Sequence, residues 1–142
     1  MTKLGVSEAI ESSIGEAPLS WGVGQSVESR YSQSGRANAV AGLILGRQAG
    51  KQALPNAVKL PRLFVMAITP TKVCFFDPPM REPRQPLVSA SRASLRADAK
   101  QGWFWTRLVL EDEAERRSMV VFFSRMAKGR KQILSTLQPA RI

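Results

Sequence analysis

The feature of this sequence that most constrains its fold is a pair of apolar runs joined by a short turn. Residues 60–69 are nearly continuous in apolar side chains, as expected for a strand that is buried on both faces. Residues 73–77 have the same character. The Thr-Pro-Thr-Lys segment at 69–72 places proline at the second turn position, which its fixed φ suits. The pattern predicts a β-hairpin over residues 60–77.

A second hairpin is predicted from the alternation of side chains over residues 103–111. The alternation divides eight side chains between two faces of one strand: Phe104, Thr106, Leu108 and Leu110 on the first, and Trp103, Trp105, Arg107 and Val109 on the second. Residues 112–116 then form a mostly acidic turn, and residues 117–122 form the returning strand.

Weaker signals lie around these hairpins. Prolines mark an exposed connection over residues 78–86, a weaker strand is predicted at 87–92, and a short strand or a turn is predicted at 94–98. After the second hairpin, Ser124 is predicted to cap an amphipathic helix that ends near Leu137. The apolar face of that helix is formed by Met126, Ala127, Ile133, Leu134 and Leu137.

The N-terminal part of the chain has a different character. Ser7 is predicted to cap a short helix that ends near Gly15. Residues 20–35 are rich in glycine and serine and are predicted to form a loop, with an extended piece at 25–31 as an alternative. A second helix is predicted over residues 36–53.

Three glycines of that second helix recur at every fourth position and share one helix face: Gly42, Gly46 and Gly50. Each glycine costs a helix about 1 kcal/mol relative to alanine, so a compensating contact is expected. The stripe therefore predicts close packing against another backbone, which includes self-association with a second copy of the chain. A flexible Gly/Ala linker is the alternative.

The order of short antiparallel strands followed by one helix resembles the pleckstrin-homology-like (PH-like) domains, in particular the bacterial PH-like and GRAM-like proteins. The likeness covers residues 59–138. It rests on residues 60–77, which match that family's apolar strand, threonine, short turn, basic residue and second apolar strand, and on the strand and helix over 119–137. The resemblance implies an α+β fold, a small antiparallel β-barrel or sandwich closed by a C-terminal amphipathic helix. Residues 1–55 would form a helical, glycine-rich extension before a β domain over 56–142.

Enzyme chemistry is not predicted. The sequence has no histidine, which removes the commonest general base and the commonest zinc ligand. Its one cysteine, Cys74, lies in an apolar run and is expected to be buried and inert. The carboxylates over 111–115 are interpreted as a solvated turn rather than a metal site. We therefore predict no catalytic residue, no metal, no cofactor and no small-molecule substrate.

Charge points instead to binding. The sequence has 21 Lys and Arg against 11 Asp and Glu, a net charge of +10, which attracts nucleic acid, anionic lipid or acidic protein. Five residues form the predicted anion-binding surface: Arg81, Arg84, Arg92, Arg96 and Lys100. Trp103 and Trp105 form a second candidate surface, for bases, lipid or a protein partner. The alternative is that residues 1–55 fold back over the two tryptophans.

The leading hypothesis is a non-catalytic PH-like module that mediates protein–protein interaction as a scaffold, with a homo-oligomer as one form of it. The alternatives are peripheral binding to an anionic membrane surface and non-specific nucleic-acid binding. The best-known ligand of PH domains, a phosphoinositide, is not supported, because the first hairpin turn offers only Lys72. Glu8 and Glu11 interrupt any signal-peptide-like stretch, so a cytoplasmic location, with peripheral membrane attachment as an alternative, is predicted.

Overall fold

The computed structural model of this protein describes residues 5–26, residues 57–138 and the pair 140–141. The helix predicted over residues 36–53, with its glycines Gly42, Gly46 and Gly50, lies outside the described residues. Self-association through that stripe therefore stays a prediction.

Within the described residues the chain forms two α-helices, one short 3-10 helix and eight strands. In chain order they are α1 (Val6–Ile14), β1 (Ser20–Gln25), β2 (Leu63–Ile68), β3 (Lys72–Phe76), β4 (Val88–Ser91), the 3-10 helix (Arg92–Ser94), β5 (Leu95–Gln101), β6 (Trp105–Asp112), β7 (Arg117–Ser124), α2 (Arg130–Leu137) and β8 (Ala140–Arg141). Both predicted hairpins are confirmed, since β2 pairs with β3 and β6 pairs with β7.

The described strands belong to one sheet with the order β4-β3-β2-β1-β7-β6-β5-β8. Neighbours pair antiparallel from β4 to β5, and the two-residue β8 runs parallel to β5. The predicted α+β class and antiparallel sheet are therefore confirmed. Closure into a barrel is not, because β4 and β8 lie at the two ends of the order and do not pair with each other.

The main hydrophobic core lies between one face of the sheet and α2. Phe64 of β2 and Phe75 of β3 are fully buried there and meet edge to face, with ring centroids 5.2 Å apart. From α2, Ile133 is fully buried, and Leu134 and Leu137 are partly buried against the same core. The last helix thus covers the sheet with the C-terminal half of its predicted apolar face.

A second, smaller core lies on the opposite face of β1, β2 and β3, under α1. Ala9 and Ile10 of α1 are fully buried against side chains that include Phe76. A helix is predicted in this part of the sequence, after an N-cap at Ser7. In the structure its N-cap is Gly5, and no side chain caps it.

The largest difference from the sequence prediction is β1, because residues 20–35 are predicted as loop whereas Ser20–Gln25 is a strand. All six of its residues pair with β2, and Gln25 also pairs with Phe122 of β7. β1 therefore joins the two hairpins into one sheet. The predicted boundary between an N-terminal extension over 1–55 and a β domain over 56–142 stays a prediction. β1, from the predicted extension, nevertheless forms a central strand of the sheet.

Two glycines explain why β1 has no clear strand signal. A Cβ built at Gly22 would lie 2.5 Å from the carbonyl oxygen of Lys128, and one at Gly24 would lie 2.9 Å from the ring of Phe64. At these two positions the core face of β1 must therefore lack a side chain, because the chain before α2 and the aromatic core lie directly against its backbone. The glycine content of this segment is typical of a loop, but here the packing requires positions without a side chain.

The last helix also begins later than predicted. Ser124 is the final residue of β7 and pairs with Trp105, so it cannot cap a helix. The N-cap of α2 is Gly129, whose φ of 83° lies in the left-handed region that suits glycine. The predicted apolar face consequently loses Met126, which is 83% exposed.

Candidate docking surface

The basic residues that the sequence singles out are spread over several elements. Arg81 is exposed in the connection after β3. Arg84, in the same connection, donates a 2.9 Å hydrogen bond to the carbonyl oxygen of Asp77 and pairs with Glu82 at 3.2 Å. Arg92 follows β4 and lies beside the beginning of β3. The length of β3 therefore separates Arg84 from Arg92, roughly 16 Å for a strand of this size.

The remaining members of that set also have separate surroundings. The guanidinium of Arg92 donates a 3.0 Å hydrogen bond to the carbonyl oxygen of Thr136, which links the end of α2 to the sheet. Arg96 lies 3.9 Å from the carboxylate of Asp98. Lys100, near the end of β5, is exposed. The structure does not bring the five residues together as one anion-binding cluster.

The two tryptophans have opposite environments. Trp105 begins β6 and is only 6% exposed, and its indole Nε1 has no hydrogen-bond partner. Trp103 precedes the strand and is 82% exposed. The expectation that both belong to one strand face is therefore wrong, since β6 begins two residues later than the alternation suggests. Only Trp103 presents its ring to solvent.

Trp103 belongs to one of two adjacent turns, which together we call the tip: residues 102–104, between β5 and β6, and residues 125–128, between β7 and α2. The turns meet because β6 pairs antiparallel with both β5 and β7. The beginning of β6 therefore lies beside the ends of its two neighbours.

Main-chain hydrogen bonds fix the geometry of the tip. The N–H of Gly102 donates to the carbonyl oxygen of Trp105 at 2.7 Å and closes the first turn. The N–H of Arg125 donates to the carbonyl oxygen of Phe104 at 2.6 Å and ties the second turn to the first. The two turns are therefore held side by side by backbone rather than by exposed side chains.

The tip exposes two large apolar side chains, Trp103 at 82% and Met126 at 83%. Phe104 lies between the two tryptophans, with its ring centroid 6.3 Å from that of Trp103 and 5.5 Å from that of Trp105. The three rings therefore form a row, with the exposed indole of Trp103 at one end and the buried indole of Trp105 at the other. This arrangement supports Trp103 from behind and leaves its outer surface open.

Charge around the tip is of one sign. Residues 99–110 and 118–138, which include the two turns, the adjoining parts of the strands and α2, contain no Asp or Glu. The next carboxylate along β5 is Asp98, which lies 3.9 Å from Arg96. Six basic residues lie in those two ranges: Lys100, Arg107, Arg125, Lys128, Arg130 and Lys131. Lys100 and Arg107 are direct cross-strand partners. The acidic turn over 113–116 lies at the other end of β6 and β7.

The second turn of the tip is anchored to β1. The N–H of Val23 donates a 3.0 Å hydrogen bond to the carbonyl oxygen of Lys128. The ammonium of Lys128 lies 4.9 Å from the ring centroid of Trp21, a cation–π distance. Together with the close approach of Gly129 to Gly22, these contacts give the tip a rigid base.

Two titratable groups outside the tip have shifted pKa values. Hydrogen bonds from the hydroxyls of Thr69 and Thr71, each 2.6 Å at its shortest, lower the pKa of Glu16. Burial raises the pKa of the Cys74 thiol, although a hydrogen bond with Ser89 opposes the shift. A thiol held protonated is a poor nucleophile, so Cys74 contributes packing.

The last residue of β6, beside the acidic turn, is a buried carboxylate. Asp112 is held by Arg117 at 3.0 Å and by the hydroxyl of Ser94 at 3.3 Å. No three His, Cys, Asp or Glu side chains of the described residues are grouped so that they could hold a metal ion. In the same part of the chain, no helix is long and apolar enough to cross a membrane.

Sequence reasoning identified Trp103 but missed Met126 and the pairing of the two turns. Met126 was assigned to the buried face of a helix, because its spacing from Ile133 fits a helical period. Gly129 was the available signal against that assignment, since a glycine lowers confidence in a continuous helix and suits a break.

Comparison with known proteins finds no similarity: this chain matches no protein-family model, no curated protein and no solved structure.

Proposed function

We propose that this protein is a non-catalytic binding module whose docking surface is the tip. The observation that carries the proposal is the exposure of Trp103 and Met126, at 82% and 83%, on adjacent turns. Burying a side chain of this kind contributes about 1.5–3 kcal/mol. A partner that covers both gains that energy without a change in the fold, because the turns are already held together.

The order of the elements supports a PH-like architecture for the module. Four strands, β1 to β4, follow one another on one side of the sheet, and β7, β6 and β5 form the other side. An amphipathic helix, α2, follows the last antiparallel strand and packs on the main core. This is the order that the resemblance implies, with β1 supplied by residues that the sequence assigns to the extension.

The charge of the tip defines the partner in general terms. Lys100, Arg125 and Lys128 are exposed in or beside the two turns, and residues 99–110 and 118–138 contain no carboxylate. The partner must therefore offer an acidic or anionic surface. An acidic protein, as in the scaffold hypothesis, and an anionic membrane both satisfy this condition. Nucleic acid satisfies the charge condition and offers bases on which Trp103 can stack.

A second copy of the chain is a less favourable partner for the tip. Each copy carries a net charge of +10, so two tips repel each other at low ionic strength. Self-association through Gly42, Gly46 and Gly50 remains a separate proposal, since those residues lie outside the described part of the chain.

A binding panel tests the proposed function. The native chain and a double variant, Trp103→Ser with Met126→Ser, are titrated with anionic vesicles, with a polyglutamate peptide and with duplex DNA. At least one panel member should bind the native chain, and the double variant should bind it about tenfold or more weakly. Leu87→Ser removes an apolar side chain that is 51% exposed outside the tip and serves as the matched control.

Equal binding by the native chain and the double variant across the panel would remove the tip from the docking surface. An absence of binding to all three panel members would contradict the proposal as a whole. Because both side chains are exposed, the melting temperature of the double variant should match that of the native chain, so a change in binding cannot be attributed to unfolding.

A further inference from the structure

We propose that the partner of the tip is an anionic lipid bilayer, with Trp103 and Met126 inserted at the interface and the exposed cations on the headgroups. This inference rests on the proposed function and names the partner of the same surface. It concerns turns other than the first hairpin turn, where the sequence offers only Lys72.

The small size of the tip favours a bilayer over a folded protein. The two turns contain seven residues, three at 102–104 and four at 125–128. A stable protein–protein interface uses roughly 20–30 residues on each side. A bilayer has no such requirement, because it deforms around an inserted side chain and offers apolar volume without a matching pocket.

The chemistry of the exposed residues also fits the membrane interface. Tryptophan prefers the headgroup level, because its ring is apolar whereas its N–H remains hydrated there. Methionine is flexible and polarizable, so Met126 can adapt to irregular surroundings. Lysine is depleted in protein–protein interface cores, whereas each Lys or Arg near an anionic leaflet strengthens membrane binding about fivefold. Lys100, Arg125 and Lys128 supply three such charges.

One cross-strand pair of the sheet beside the tip places two cations opposite each other. Lys100 and Arg107 lie directly opposite each other on β5 and β6. Like charges in this position repel, and the nearest carboxylate on this face of β5, Asp98, lies two residues from Lys100 and 3.9 Å from Arg96. Lipid phosphates at the base of the tip would neutralise both charges.

The position of the acidic turn favours one orientation of the molecule on a membrane, with the tip facing the bilayer. The acidic turn, residues 113–116, begins where β6 ends. β6 has eight residues, so the acidic turn lies roughly 26 Å from the tip along the strand. That distance exceeds the screening length of about 8 Å at physiological ionic strength. The carboxylates of this turn therefore do not oppose binding when the tip faces an anionic surface.

Vesicle sedimentation tests the inference. The vesicles are phosphatidylcholine, either alone or with one phosphatidylglycerol in every three lipids. The native chain should bind the anionic vesicles and should bind the neutral ones much more weakly. Trp103→Ser with Met126→Ser should lower the partition coefficient about tenfold or more. Lys100→Glu with Arg125→Glu should lower it about 25-fold or more, since each reversal costs at least one fivefold factor.

Matched controls restrict the effect to the tip. Trp103→Phe keeps an apolar ring and should bind anionic vesicles within about threefold of the native chain. Leu87→Ser and Arg81→Glu change an exposed apolar and an exposed basic residue outside the tip. Both should bind within about twofold of the native chain.

Lipid binding that the tip variants leave unchanged would overturn the inference, as would an absence of vesicle binding. Loss of polyglutamate or DNA binding in the tip variants, without vesicle binding by the native chain, would overturn the lipid partner and leave the proposed function standing. Vesicle binding that both the apolar and the charge variants weaken, beside unaffected controls, is the result that the inference requires.

Discussion

The main-chain N–H of Arg125 donates a 2.6 Å hydrogen bond to the carbonyl oxygen of Phe104, and this bond connects two turns that lie 21 positions apart in the sequence. It brings Trp103 and Met126 to the same end of the sheet. A binding surface that is formed in advance avoids the entropic cost of ordering a loop when the partner arrives. The tip therefore combines high exposure with a fixed backbone.

The close approach of β1 to the start of α2 predicts a strong effect of Gly22→Ala. The added Cβ would lie 2.5 Å from the carbonyl oxygen of Lys128, and overpacking of this kind costs about 1–3 kcal/mol. Chemical denaturation should show that loss in the free energy of unfolding. Gly5→Ala is the control: its Cβ meets only Glu8, at 3.8 Å, and the change of N-cap costs about 1 kcal/mol or less. Equal losses in the two variants would refute the close approach.

The burial of α2 predicts different effects at neighbouring positions. Ile133 is fully buried, so Ile133→Ala should cost about 2–5 kcal/mol. Leu134 is partly buried at the edge of the same core. Leu134→Ala should therefore cost less, although the apolar helix face inferred from the sequence predicts the full range of about 2–5 kcal/mol for it as well. Urea denaturation of both variants checks the order, and a larger loss at Leu134 would mean that α2 is rotated from its described position.

The contacts of Glu16 predict a pH dependence. Its folded-state pKa is lowered, chiefly by the hydroxyl of Thr69 and then by that of Thr71. Its stabilising contribution is therefore fully present above the reference pKa of 4.5 and is lost as the pH falls from there through the lowered value. The difference in melting temperature between the native chain and Glu16→Gln should shrink over this acid range. A difference that grows on acidification would contradict the assignment.

The environment of Asp112 predicts a loss of stability in Arg117→Met. The carboxylate is 1% exposed and lies 3.0 Å from Nε of Arg117, so removal of the guanidinium leaves a buried charge without its cation. The expected loss in the free energy of unfolding is about 1–3 kcal/mol or more. Arg96→Met is the matched control, because the Arg96 side chain is 67% exposed at 3.9 Å from Asp98. It should cost within about 0.5 kcal/mol.

The parts of the fold that sequence reasoning predicted are those with local signals. The hairpin over residues 60–77 has two apolar runs and a turn in one short segment, so its pairing can be inferred without knowing the rest of the chain. β6 and β7 have a similar local pattern. β6 begins two residues later than predicted because Trp103 continues the alternation in sequence but lies in the turn.

The parts that could not be predicted depend on contacts between distant segments. β1 has no strand composition, because Gly22 and Gly24 are required by the backbone of the chain before α2 and by the aromatic core. The tip depends on the hydrogen bond between Arg125 and Phe104, which no local pattern encodes. The exposure of Met126 could not be predicted, because its spacing from Ile133 fits a helix, whereas the helix in the structure begins only at Arg130.

The central claim is that the tip contacts lipid, and quenching of tryptophan fluorescence by bromine-labelled lipid chains tests it most directly. Trp103 is 82% exposed, Trp105 is 6% exposed, and Trp21 is half-buried against the second core, so a ring that enters the bilayer should be Trp103. The native chain on anionic vesicles should lose emission to the brominated chains, and bound Trp103→Phe should lose little. Equal quenching in the two proteins, or none in the native chain, would contradict the claim.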